Sequence, residues 1–316
     1  MRGGQMNELT TAKTTAPASY NFNNEMFTSW INYIDATPKT IESYTKSVRQ
    51  FFYYLQDNGI KQPTRADIIA FKENIASLHK PTTASSYLMA VKQFFKWTAQ
   101  EGIYPNIADN VKAIKLTKEH KKDYLTTAQV KNVLRTADKS TLKGLRDYAI
   151  LSLMVTTGLR TIEIVRANIE DMRTVADFTA LFIQGKGRTE KTDFVKLTQQ
   201  VEDAIRAYLK ARGNCKDNEP LFSSLSNRDT NERMTTRSIS RIVKTHLVDA
   251  GLNSDRLTAH SLRHTTATLN LLNGGTIEET QQLLRHTNIN TTLIYSHALE
   301  RAKNNSEQRV TDAIFN

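Results

Sequence analysis

The chain has 316 residues, 39% of them apolar, which is room for two domains with real cores. Its formal charge, 43 − 32 = +11, points to a polyanionic partner, nucleic acid first. Its one cysteine, Cys215, sits in a polar loop and excludes an intrachain disulfide and a thiolate metal cage. No segment approaches the ~20 apolar residues of a membrane span, so the composition fits a reducing cytoplasm.

Residues 1–21 are polar, lack the apolar core of a signal peptide and read as a disordered tail. Residues 22–111 read as helical throughout. Ile41, Tyr44, Val48, Phe51, Phe52 and Leu55 recur at helical spacing, as do Tyr87, Val91, Phe94 and Phe95. With Thr64 as a helix cap and "NFNNEMFTSWINYI" as the first helix, four helices make a small bundle. Its aromatic stripes are core rather than base-stacking platforms. Residues 112–124, "KAIKLTKEHKKDY", are lysine-rich and aperiodic, and read as a basic linker.

A second domain spans 125–300. Thr126 or Thr127 caps its first helix, and a long apolar segment breaks at Thr157-Gly158. Between Met172 and Leu197 the pattern changes. "TALFIQ" and "DFVKL" are β-forming, and "GKGRTEK" between them is turn chemistry. Helices then resume. The expected fold is mainly α with a small antiparallel β-sheet. Residues 301–316 form a C-terminal tail whose Val310, Ala313, Ile314 and Phe315 suit docking on a neighbouring copy.

Six residues scattered over the second domain suit one reaction: Arg160, Lys186, His260, Arg263, His286 and Tyr295. His260 and Arg263 lie one helical turn apart. Two arginines, a lysine and two histidines can cradle a tetrahedral anion, because a guanidinium donates two bonds to non-bridging oxygens. A phosphodiester under attack gains charge, and fixed cations stabilise that state above the ground state. Tyr295 is the candidate nucleophile. Its phenol, with an ordinary pKa of about 10, needs cations or a base to lose its proton. Lys186, on a turn, can protonate the leaving sugar oxygen. Lys191 shares that turn and is the second choice. Phosphotyrosine conserves the bond energy, which fits cutting and rejoining DNA. No cofactor or metal is called for.

"TGLRTIE", "GKGRTEK", "HSLRHTTAT" and "LLRHTNINTTLIYSHA" together resemble the motifs of the tyrosine recombinase (phage integrase) family, in order and at family-like spacing. The resemblance covers roughly 125–298, and the preceding bundle resembles the family's core-binding domain. It implies an N-terminal helical core-binding bundle and a C-terminal tyrosine recombinase catalytic domain. Arg160 and Arg263 would clamp the scissile phosphate and Lys186 would be the general acid. His260 would assist proton transfer, His286 would hydrogen-bond the phosphate, and Tyr295 would form the 3′-phosphotyrosyl link. Glu163 matches an acidic position that supports the arginine. The partners implied are double-stranded DNA with inverted-repeat core sites, a homo-tetramer working through a Holliday junction, and an accessory or directionality factor. With only about twenty polar residues before the bundle, a compact Xer-like or small-integrase architecture is expected, for dimer resolution or mobile-element integration. One position departs: the family has Leu-Gly-His where this chain has Leu284-Arg285-His286. Arg285 could add a phosphate contact there, but it is expected to face solvent.

Other readings compete residue by residue. Tyr295 alone could be a packing residue, Arg160 alone a salt bridge to Glu163. His260 and His264, at i and i+4, could hold a metal; His264 more simply caps or packs beside the site. A type IB topoisomerase would use a similar pocket, and a non-catalytic DNA-binding regulator could share the scaffold. A metal-dependent nuclease needs clustered carboxylates, whereas Glu170-Asp171 and Glu278-Glu279 are adjacent pairs that do not face one site.

Overall fold

A computed structural model of the chain describes residues 24–116, 123–185, 188–226, 232–295 and 305–315. The chain divides into two compact units, Met1–Glu119 and His120–Asn316.

The first unit is built from α1 (Asn24–Tyr33), α2 (Pro38–Asp57), α3 (Arg65–Leu78) and α4 (Pro81–Gln100). Helices α2 and α4 both open on proline, whose fixed φ suits a first turn and whose missing N–H is not needed there. At the start of α3 the Thr64 N–H donates to the Asp67 carboxylate at 2.7 Å. Val48, Phe51 and Leu55 on one face of α2 are buried with Phe71 and Ile75 of α3 and with Phe94 and Phe95 of α4. The rings interlock edge to face, Phe51 with Phe71 at 5.0 Å and with Phe95 at 5.7 Å. Each such side chain contributes about 1.5–3 kcal/mol by leaving water. The aromatic stripes are therefore core, and Phe94 and Phe95 have no exposed surface for a base to stack on.

The second unit holds α5 (Thr127–Arg135), α6 (Leu142–Thr157), α7 (Thr161–Arg166), β1 (Met172–Val175), β2 (Phe178–Ile183) and β3 (Asp193–Lys196). Then follow α8 (Gln199–Arg212), α9 (Thr236–Asp249), α10 (Ala259–Leu272), α11 (Ile277–Leu284), a helical segment α12 over residues 290–295, and α13 (Ser306–Phe315). Thr126 caps α5: the Gln129 N–H donates to its hydroxyl, and its own N–H donates to the Gln129 side chain. α6 is apolar on nearly every face and is buried accordingly, packed against α8 and α10. It ends at Gly158, which is left-handed at φ +61°. The three strands form an antiparallel sheet in order β1-β2-β3, with Leu181 of β2 opposite Met172 and Val195. Ala180, Leu181 and Ile183 bury the central strand.

A polar network is buried within this core. Arg146 donates to Asp147 through Nε and Nη2 and to the Ser223 carbonyl through Nη1. His246 Nδ1 lies 2.7 Å from the Thr136 hydroxyl. Each buried polar atom so paired avoids a penalty of about 1–3 kcal/mol.

The proposed tail at 1–21 lies outside the described residues, as does 117–122 of the proposed linker. In the C-terminal tail, α13 is exposed along its length, including Val310, Ile314 and Phe315. Among the described residues no helix is long and apolar enough to cross a membrane.

Candidate active site

The break at Thr157-Gly158 begins the site. Gly158 turns the chain out of α6, and Arg160 becomes the residue before the first turn of α7. The Arg160 N–H donates to Glu163 Oε2 at 2.8 Å, and its Nη1 donates to Oε1 at 2.8 Å. Glu163 is 1% exposed, whereas a third of the Arg160 side chain faces solvent. The carboxylate thus holds a guanidinium at the edge of a cleft.

α10 supplies the second arginine. Arg263, its fifth residue, sits inside the helix rather than at an element end and is 2% exposed. Its Nη1 donates to the Gly158 carbonyl and its Nη2 to the Leu284 carbonyl. Both acceptors are carbonyls at helix C-termini, which intrahelical bonding leaves open. Arg263 therefore ties the ends of α6 and α11 together, and among the described residues three of its five N–H groups stay available. Burial first, then Arg160 and Arg285, pulls its pKa down to about 9, so it is a cation at neutral pH.

His260, one turn earlier, is exposed. Its ring meets that of His264 edge to face at 4.7 Å, and His264 meets Tyr295 at 5.2 Å. His264 packs beside the site, 8% exposed. A cleft of about 650 Å³ is walled by Arg160, His260 and Arg263, and also by Ser240 and Lys244 of α9.

After α11 the chain makes a second left-handed turn, at Arg285 (φ +54°, ψ +48°), which delivers His286. His286 Nδ1 lies 2.9 Å from the hydroxyl of Thr292, itself fully buried on α12. Burial first, then the surrounding arginines, hold its pKa down at about 4. It is a neutral imidazole at pH 7. In the tautomer in which Thr292 donates to Nδ1, the proton sits on Nε2, the nitrogen left to bond an incoming oxygen.

Tyr295 is on α12, 7% exposed, in a small cluster with Ala267 and Leu284. Burial raises its pKa, and Arg263 and Arg160 pull the other way. The phenol is protonated at neutral pH. Arg160, His260, Arg263, His286 and Tyr295 are thus gathered from four segments into one neighbourhood.

Lys186 lies outside the described residues. Lys191 is engaged elsewhere, bonded to the buried Asp171 carboxylate at 2.5 Å. Asp171 also draws Arg173 to 4.0 Å.

The expectation that Arg285 faces solvent is wrong. Only 12% of its side chain is exposed, and its Nη2 donates to Glu163 Oε2 at 3.2 Å. The left-handed turn and the full burial of Leu284 swing the following side chain inward toward Glu163, the acid that also holds Arg160. Thr292 escaped the sequence reading as well. Its signal was slight: a hydroxyl six residues beyond His286.

Residues 123–301 match the phage integrase family, and 25–104 match a phage integrase N-terminal SAM-like domain. The chain belongs to the phage integrase family. It is 37% identical to tyrosine recombinase XerC of Caldanaerobacter subterraneus over 55% of this chain, and there it spans about half, 47%, of that relative's own length. It is 31% identical to tyrosine recombinase XerA of Pyrococcus horikoshii over 88% of this chain and 93% of the relative. Its fold resembles XerH site-specific recombinase bound to a palindromic difH substrate, with a TM-score of 0.68 at 22% identity, covering 86% and 78% of the two chains.

Proposed function

We propose that this integrase-family chain is a site-specific DNA recombinase that breaks and rejoins strands through a phosphotyrosyl link at Tyr295. The convergence of Arg160 and Arg263 on one cleft, with Tyr295 in their electrostatic field, carries the reading.

Arg160 and Arg263 bind the scissile phosphate. Arg263 is already fixed at both ends, so its charge is in place before substrate arrives, and such preorganisation lowers the barrier. His286, neutral, donates an uncharged hydrogen bond to a phosphate oxygen. Tyr295 Oη attacks phosphorus, the P–O5′ bond breaks, and the 5′-oxygen takes a proton from Lys186. The ion pair of Lys191 with Asp171 supports Lys186 over its neighbour in that role. His260, exposed at the cleft, assists removal of the phenolic proton. Reversal by a different strand's 5′-hydroxyl restores the phosphodiester without ATP.

Tyr295 is packed away among Ala267 and Leu284, so DNA binding must free it. The DNA partner is a duplex with inverted-repeat core sites, acted on by a homo-tetramer through a Holliday junction, with an accessory factor setting direction. Integration of a mobile element and resolution of DNA dimers both fit. The core-binding unit spans 22–111, the basic linker 112–124, the catalytic unit 125–300, and the tail 301–316 docks on a neighbouring copy in the cytoplasm.

The test uses a duplex site enriched by binding from random sequence and nicked near the cleavage point, in EDTA. Wild type forms a denaturant-stable protein–DNA adduct, and Tyr295→Phe forms none. An adduct of undiminished yield from Tyr295→Phe would refute the assignment.

A further inference from the structure

Glu163 serves two cations. Its Oε1 takes the Arg160 guanidinium, and its Oε2 takes both the Arg160 N–H and Arg285 Nη2. The carboxylate is 1% exposed, so it cannot lose its partners to water cheaply. Arg160 is the partner that faces the cleft, a third exposed; Arg285 is the one sealed behind it, 12% exposed.

Arg285 occupies its place at a cost. A non-glycine residue in the left-handed region is disfavoured by about 1 kcal/mol or more. Burying a guanidinium is also costly, and its Nε is enclosed with no hydrogen-bond partner among the described residues. Nη1 is used on the Leu283 carbonyl. A strained, buried and partly unsatisfied arginine beside a reaction centre points to a role there.

We propose that Arg285 is a positioning residue of the cleavage pocket, taking over the Glu163 carboxylate when Arg160 turns to the scissile phosphate. The inference rests on the recombinase reading above. Without Arg285, release of Arg160 would strand a buried carboxylate, and Glu163 would compete with the phosphate for Arg160. With it, the carboxylate keeps a cation throughout and Arg160 is free to exchange partners. Among the described residues, Glu163, Arg160, Arg263, Asp193 and His286 share the electrostatic field of Arg285. Its charge also helps hold His286 neutral.

The test compares wild type, Arg285→Gly, Arg285→Met and Arg285→Lys on the nicked duplex. Glycine relieves the backbone, and methionine keeps much of the apolar stem. Single-turnover adduct formation is followed at saturating DNA from pH 5 to 9, with DNA affinity and melting temperature measured alongside. The expected result is a loss of roughly tenfold in the saturated rate for Gly and Met, with affinity changed less than twofold. The acid limb of the pH profile moves to higher pH, and Lys recovers part of the rate. A wild-type rate and pH profile in Arg285→Gly and Arg285→Met would overturn the proposal. So would a loss confined to affinity, which would make Arg285 a DNA-backbone contact. If wild type itself forms no adduct, the recombinase reading fails first; if wild type reacts and the variants match it, only the role of Arg285 fails.

Discussion

Gly158 joins fold and site, and Gly158→Ala tests the joint. The residue is left-handed at φ +61°, where alanine is disfavoured by about 1 kcal/mol. An added Cβ would lie 2.5 Å from Leu284 Cδ2 and 3.5 Å from Thr266. Leu284 has no exposed surface and packs with Ala267 and Tyr295, so its methyl has no open space to move into. Overpacking of this kind costs about 1–3 kcal/mol. The sum is about 2–4 kcal/mol, or roughly 5–15 °C in melting temperature for a unit of this size. Gly251→Ala is the control, because it is left-handed at φ +77° with nothing within 4 Å of an added Cβ. It carries the strain alone, about 1 kcal/mol, or roughly 2–4 °C. Thermal unfolding by circular dichroism at one pH and salt concentration separates the two. Equal melting temperatures for the two variants would refute the close packing of Leu284 on the α6 turn. The cleavage rate should also fall further in Gly158→Ala than in Gly251→Ala, since Leu284 precedes Arg285 and His286 and its carbonyl binds Arg263.

Two further predictions concern proton chemistry. His286 has a folded pKa near 4 against about 6.5 unfolded, so between those values the unfolded chain binds more protons. Its contribution to stability is complete above pH 6.5 and is lost as pH falls toward 4; His286→Gln should therefore show a shallower decline in melting temperature over pH 7 to 4, and parallel curves would contradict a neutral buried imidazole. Lys186→Ala should lose adduct formation on an ordinary 5′-hydroxyl leaving group and recover it on a 5′-thio substrate, whose sulfur leaves without a proton. Lys191→Ala, which breaks the pair with Asp171, should lower stability with no such selective rescue; rescue of Lys191→Ala instead would move the acid to Lys191.

Much of this was legible in order and spacing. Helical periodicity placed the aromatic core of the first unit, because a period near 3.6 with large apolar residues has few other uses. The β-forming runs around "GKGRTEK" marked the sheet, and Gly158 marked the end of α6. The reactive residue types were legible because phosphoryl transfer needs donors and a nucleophile; Arg160 and His286 stood at element ends, whereas Arg263 lies within α10. What spacing cannot give is orientation. Arg285 follows a helix, where side chains usually meet water, yet a left-handed turn and a buried leucine beside it direct the guanidinium to Glu163. Arg263 was expected to bind phosphate, but only the meeting of α6, α10 and α11 gives it two carbonyls to hold. The neutrality of His286 likewise depends on burial among guanidinium groups brought from α7, α10 and α11. Sequence by itself determined which groups are present and the local elements that carry them, because those follow from short-range backbone and apolar patterning. The tertiary structure decided which groups share a field, which are paired and which are exposed, because charge and burial act through space between residues far apart in the chain.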